Sequence, residues 1–386
     1  LPIKRLKQTI RRNKFIVWLG VVAAALFISR FIPLRHGYLG GGNLKAFKNR
    51  PWLYWLANFD GAHYISIARR GYVEFQQAFF PFYPYLIKIF SRIFGSGFNV
   101  LFYTGVAVSL VSFSFFDDYL KKLAGLDFNK ADLLKTRLIY LFYPVSFFFI
   151  AVYTESLFLF LTVAAFYFHA KKKYLWFIFC SALASATRLI GVFIPAAIFL
   201  EYVFKKIDQN NNLFTKKTLK KALRGLFASS GLLYYMIYLW QTKKDPLYFF
   251  HVQPHFGANR TGGKLILFHQ VVWRYLKIFF TANPRTVVYY VSVLEFLITF
   301  FFIGVLVWAA AKKQLKLRYI IYSACVIFLP TFTGTLSSMP RYLMSAFPLF
   351  FVLSRLKKKY YWLVFIIFTM LLIVNVVLFS RGYFIS

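Results

Sequence analysis

The chain carries 11 acidic residues among 386, so each placed acid is a candidate for chemistry. Asp60 and His63 stand in the segment Trp55–Pro84, rich in aromatics, just after the first membrane-length apolar run. A carboxylate there could accept a proton from a sugar hydroxyl, as a general base must. The bland alternative is an N-cap for a helix over 62–69, with Gly61 freeing the backbone for a turn. His63 could share the proton work, hold a phosphate, or simply pack in its loop. Glu155 sits in a short turn between two apolar runs, where an acid is costly unless partnered. Arg188 and Arg341, from two other turns, are its candidate partners, in a functional or a purely structural pair.

The remaining charges sort more quietly. Arg188, Arg260, Lys264 and Arg341 could bind a lipid phosphate, arginine with bidentate geometry. The polar, aromatic tract His251–Arg260 suits sugar or headgroup contacts, or is a plain loop. Its sequon, Asn259-Arg260-Thr261, matters only in a glycosylating host. Glu295, inside an apolar run, reads as a buried partner for an Arg or Tyr, and Glu74 as surface. Asp117, Asp118, Asp127, Asp132, Glu201 and Asp208 read as helix-end or loop partners of lysine. No Asp-x-Asp pair supports a divalent metal, the six histidines show no metal-ligand spacing, and no cofactor is implied. Cys180 and Cys325 lie in apolar runs and read as packing residues.

The elements that position these residues follow from composition. The chain is 60% hydrophobic and 22% aromatic, well above a soluble domain. Apolar runs recur along it, which predicts one all-α polytopic membrane domain over residues 1–386. About eleven spans fit: 15–34, 100–120, 138–152, 156–170, 174–187, 191–204, 226–241, 287–311, 319–335, 341–353 and 360–380. The first run has no small-residue cleavage site behind it and reads as a retained helix. The net charge of +37 is scattered between spans, which argues against nucleic acid and for anionic membrane lipid.

The basic loops alternate with this count. Loops 4–14, 121–137, 171–173, 205–224, 312–318 and 355–359 hold about 29 of the 48 Lys and Arg residues, which assigns them to the cytoplasm. The N-terminus is then cytoplasmic. Two long loops, 35–99 and 242–286, fall outside with the turns at Glu155, Arg188 and 337–340. Tyr85–Phe94 and Lys264–Phe280 read as amphipathic helices along the outer membrane surface. A transporter or flippase of lipid-linked sugars would show internal repeats and charges spread through span interiors. No repeat is visible, and Arg30 and Glu295 are the main charges within spans.

Several motifs then occur in order. Phe59-Asp60-Gly61-Ala62-His63-Tyr64 leads to Ile67-Ala68, Gly71-Tyr72 and Phe79-Phe80-Pro81-Phe82-Tyr83-Pro84. Tyr143-Pro144 leads to Tyr153-Thr154-Glu155-Ser156-Leu157-Phe158, then Ala186-Thr187-Arg188 and, much later, Arg341-Tyr342 with Phe347-Pro348. Together these resemble the PIG-V family of mannosyltransferases, including its bacterial and archaeal relatives. The family's Trp before the Asp is Phe59 here. The resemblance runs to about Tyr202 and is sparse until Met339. It implies a GT-C-type fold and transfer of a sugar, mannose above all, from a polyprenyl- or dolichyl-phosphate donor to a lipid-linked or glycan acceptor. The reaction would take place on the non-cytoplasmic face of the plasma membrane, or of the ER membrane in a eukaryote. On this reading Asp60, His63 and Glu155 are the catalytic group, and Tyr64, Arg188, Arg260 and Arg341 hold donor and phosphate. An O-antigen ligase or polymerase is the rival enzyme. Asp60 and Glu155 gathered at one cavity would favour the transferase.

Overall fold

The computed structural model describes residues 2–35, 44–128, 133–258 and 260–385. Asp132 and Asn259, and with Asn259 the sequon, lie outside them. Among the described residues every regular element is a helix. Three helices are long and apolar enough to cross a membrane: Phe98–Asp127, Val287–Ala311 and Lys358–Ser380. Shorter apolar stretches are Lys14–Ser29, Glu155–Ala170, Tyr174–Thr187 and Leu317–Thr333. Leu175, Trp176, Trp240 and Leu363 point outward and are exposed. An outer surface this apolar matches a lipid environment, in which a helix satisfies its own backbone.

Several expected spans are not single helices. Residues 138–152 divide into the end of Leu133–Leu141, a turn at Pro144, and a 3₁₀ turn Ser146–Phe149. Proline lacks the amide hydrogen and disfavours helical backbone before it. The buried Pro144 carbonyl is instead taken by Asn375 Nδ2, which donates to it at 3.0 Å. Residues 341–353 divide into Met339–Leu343 and Phe347–Ser354, the second starting with Pro348 in its first turn. The stretch 226–241 straddles a joint at Ser229 between helices Lys216–Ala228 and Ser230–Lys243.

Both expected amphipathic segments are helical, with shifted ends. The first is Phe82–Ser91, where Lys88 is exposed but Ser91 turns inward and donates to the Lys88 carbonyl. Its outer face is therefore more apolar than the sequence reading drew it, with Tyr85, Ile89 and Phe90 exposed. The second is Phe268–Thr281, which buries Val271 and Tyr275 and exposes Trp273.

Contacts gather the loops into two groups. Lys316 reaches Asp127 at 2.7 Å, Arg318 reaches Glu201 at 2.9 Å, and Arg355 Nη1 donates to the Gln314 carbonyl at 3.1 Å. Tyr361 OH donates to the Lys135 carbonyl at 2.9 Å. These are the lysine-rich loops, and four of the acids expected to partner lysine, Asp117, Asp118, Asp127 and Glu201, do so. Asp117 joins Arg137 and Lys121, and Asp118 joins Lys121. The turns bearing Glu155, Arg188 and Arg341 meet elsewhere, around Asp60.

Candidate active site

Asp60 begins the helix Asp60–Arg70. It is not an N-cap. Phe59 holds the cap position with φ 56° and ψ −116°, and no side chain caps the helix. Such backbone costs on the order of 1–3 kcal/mol for a non-glycine residue. The Phe59 ring offsets it by burial against Phe379 and Phe384, at centroid distances of 5.4 and 5.2 Å. Gly61 does not supply the turn. It sits in the helix because a Cβ there would stand 3.2 Å from the Val152 carbonyl oxygen.

That close approach clamps the Asp60 segment to the Glu155 turn. Val152 N donates to the Leu56 carbonyl at 2.8 Å, and Tyr153 OH to the Asn58 carbonyl at 2.7 Å. Asn58 Nδ2 in turn donates to the Phe379 carbonyl at 2.9 Å. Glu155 then opens the helix Glu155–Ala170, where the helix dipole favours a carboxylate.

Four charges form one chain. Arg341 Nη1 donates to Asp60 Oδ2 at 2.5 Å, and Arg341 Nε lies 3.5 Å from Glu155 Oε1. Arg188 Nη2 lies 3.2 Å from the same Glu155 oxygen. The side chains of Glu155 and Arg341 are 1% and 8% exposed, but Asp60 keeps 21%. The carboxylate of Asp60 is thus the open end of a buried network. Tyr342 stacks between the two arginines, with centroid distances of 5.2 Å to Arg188 and 5.6 Å to Arg341. Arg188 Nη1, Arg341 Nε and both Glu155 oxygens are buried without a hydrogen bond from the protein.

A cavity of about 240 Å³ opens onto this network. Asp60, Tyr64, Arg188, Arg260 and Arg341 all line it, and Ser337, Ser338 and Gln253 add polar groups. Its other wall is apolar, with Phe249, Phe250, Leu265, Leu329, Pro330 and Phe332. Arg260 Nη2 donates to Ser338 Oγ at 3.4 Å. Glu155 lies one layer back, behind Arg188 and Arg341. A larger cavity, about 410 Å³, shares Phe256, Ser337 and Phe384 with this one. It contains Arg274, Tyr275 and Glu295 but none of the three network arginines.

His63 is placed differently. It is not among the residues lining the smaller cavity. Its ring stacks on Phe79 at 4.9 Å and meets Phe256 edge-on at 5.7 Å, while Nδ1 faces Gln76 Nε2 at 3.3 Å. Burial lowers the His63 imidazole, and the Asp60 charge only partly opposes this, so the ring is neutral at pH 7. Burial raises the Asp60 carboxyl. The Arg341 charge and hydrogen bond, with His63 and Arg260 behind them, outweigh it and hold the group below its ordinary value. Burial, then the charges of Asp60 and Glu155, push the Tyr64 phenol far up, so it stays protonated.

Glu295 supports the site from behind. Its Oε2 accepts from Tyr275 OH at 2.7 Å, and its Oε1 accepts from Ser338 N at 3.0 Å. Ser338 has φ 69° and starts the short helix that carries Arg341. The cavity aromatics Phe249 and Phe250 have no distinguishing signal in a chain with 51 phenylalanines. Ser337 and Ser338 were legible only as part of a turn. Glu74 is exposed, and Asp245 pairs with His251 at 2.6 Å. Among the described residues, no three His, Cys, Asp or Glu side chains gather as a metal site.

No curated protein and no solved structure matches the chain. The family model for Mannosyltransferase (PIG-V) matches residues 43–246. That stretch includes Asp60, Glu155 and Arg188, while Arg260 and Arg341 come from beyond it and join them in space. With more than half its length matched, the chain belongs to the PIG-V mannosyltransferase family and is a glycosyltransferase.

Proposed function

We propose that the chain transfers mannose from a polyprenyl- or dolichyl-phosphate donor to a hydroxyl of a lipid-linked or glycan acceptor, in one inverting displacement. The observation that carries this reading is one cavity lined by a single open carboxylate and three arginines, with an apolar opposite wall. A sugar phosphate on a lipid tail needs both kinds of wall.

In the proposed step the acceptor oxygen attacks the anomeric carbon as the bond from that carbon to the phosphate oxygen breaks. The hydroxyl proton passes to Asp60, which is ionised at neutral pH. Arg188, Arg260 and Arg341 take the charge that develops on the leaving phosphate. Glu155 orients Arg188 and Arg341. Tyr64 donates a hydrogen bond to a sugar oxygen. His63 acts through the wall, setting Phe79 and Phe256, and so positions the cavity without touching substrate. The larger cavity would admit the acceptor across the shared residues.

The charge alternation supports about eleven spans with this site on the non-cytoplasmic face, and the family resemblance implies a GT-C-type fold. The gathering of the lysine-rich loops away from the site is consistent with it. The tail would enter sideways past the helix Phe82–Ser91. The test is transfer in vitro from polyprenyl-phosphate mannose by the purified chain. Equal activity in the wild type and Asp60→Asn would rule out the base assignment.

A further inference from the structure

A second cationic cavity, of about 220 Å³, lies at the other end of the helices that build the site. Glu155–Ala170 has Glu155 at the network and His169 at this cavity, about 21 Å apart at 1.5 Å per residue. Tyr174–Thr187 likewise runs from Tyr174 here to Thr187 at the site. Lys205, Lys221, Arg224 and Arg318 line the cavity, against one acid, Glu201.

How these cations are held is unusual. Arg318 Nε reaches Glu201 at 2.9 Å, and its Nη1 faces His169 Nδ1 at 3.1 Å. Among the described residues, Lys221 and Arg224 have no such acid. Lys221 Nζ lies 3.4 Å from the centre of the Tyr202 ring, and the Arg224 guanidinium 3.7 Å from the Tyr174 ring. An aromatic face attracts a cation without cancelling its charge. The cavity therefore keeps an excess of positive charge.

The helix Lys216–Ala228 closes this cavity, and it is turned inside out by soluble-protein standards. Lys221 and Arg224 face inward, half-buried, while Leu219, Leu223, Leu226 and Phe227 are exposed. An apolar face turned outward belongs against acyl chains, at a depth where the inward cations meet headgroups.

We propose that this cavity binds the phosphate headgroup of an anionic phospholipid, whose acyl chains lie along the outer face of Lys216–Ala228. The headgroup would replace the missing counter-charge of Lys221 and Arg224. The site is separate from the transfer site and does not rest on the transfer reaction.

The purified full chain in neutral detergent is titrated with phosphatidylglycerol, phosphatidylcholine or inorganic phosphate, while bound lipid is counted by native mass spectrometry and melting is followed. Phosphatidylglycerol is expected to bind saturably and raise the melting temperature; the other two are not. Lys221→Gln with Arg224→Gln should weaken phosphatidylglycerol binding by roughly tenfold or more. Lys216→Gln with Lys217→Gln, which removes the same charge from exposed positions, should change it by less than about threefold. Lys205→Gln, at a side chain 62% exposed, supplies a pocket variant that disturbs little packing and should also weaken binding. Stabilisation by inorganic phosphate alone, equal affinity in the pocket variants and the wild type, or equal losses in pocket and control variants would each overturn the proposal.

Discussion

The two cationic cavities are built from the same helices yet balance their charge differently. At the transfer site two acids, Asp60 and Glu155, face Arg188, Arg260 and Arg341, and the Asp60–Arg341–Glu155–Arg188 chain is largely buried. At the other end Glu201 stands alone against Lys205, Lys221, Arg224 and Arg318, and tyrosine faces hold two of the cations. A near-balanced buried network fixes geometry and leaves one carboxylate oriented toward the cavity. An unbalanced cluster cradled by rings stays open to an anion from outside. On the two readings proposed above, the difference separates a site for chemistry from a site for holding a charge.

The comparison can be broken most severely at Asp60. Asp60→Asn should lower transfer by about 10²- to 10⁴-fold, the usual contribution of a general base, while the protein still melts cooperatively. Radiolabelled mannose transfer measures the first and thermal unfolding in detergent the second. Arg341→Gln attacks the balance itself. It leaves Asp60 and Glu155 short of a counter-charge, and should cost about 3–5 kcal/mol of stability, read by denaturant unfolding. Substituting Glu201 should cost less than substituting Glu155, because Lys205 can solvate its own charge. Glu155→Gln should lower stability by about 2–4 kcal/mol and raise KM for the donor as Arg188 loses its anchor. Similar losses at the two glutamates would erase the distinction between the two ends.

Acidity sharpens the same contrast. The Asp60 carboxyl is held below its ordinary value. Its contribution to stability is therefore complete above the unfolded carboxylate range, near pH 3.9, and is lost as pH falls through the lower folded value. The acid limb of the rate profile should lie below that range too. In Arg341→Lys, which loses the planar fork, the limb should move upward. An unmoved limb would show that Arg341 does not set Asp60. The smallest effect belongs to Gly61→Ala, which crowds the Val152 carbonyl and should cost about 1 kcal/mol with little change in the rate of the folded fraction.

Parts of this arrangement were legible in the sequence for definite reasons. Tyr174–Thr187 and Val287–Ala311 have the expected bounds, because each apolar run is bracketed by lysines or by turn residues. Residues 138–152 and 341–353 were equally apolar, but proline and packed turns break them, and hydropathy does not register a broken backbone. Asp60, Glu155, Arg188 and Arg341 stood out because charges in short turns between apolar runs are expensive and acids are scarce here. For His63 the sequence left proton work, phosphate binding and packing open, and it carried no signal that Phe79 and Phe256 would pack against its ring. Gly61 was read as a hinge, when the demand on it is a neighbour's carbonyl.

The pairing of Asp60 with Arg341 spans 281 residues. Asp60 and Glu155 are both made well before the arginine that joins them. Phe379 and Phe384, which wedge Phe59, arrive later still. The network of the proposed site therefore forms only after residue 341 has been made, and a ribosome that stalls before it leaves two acids without their shared partner.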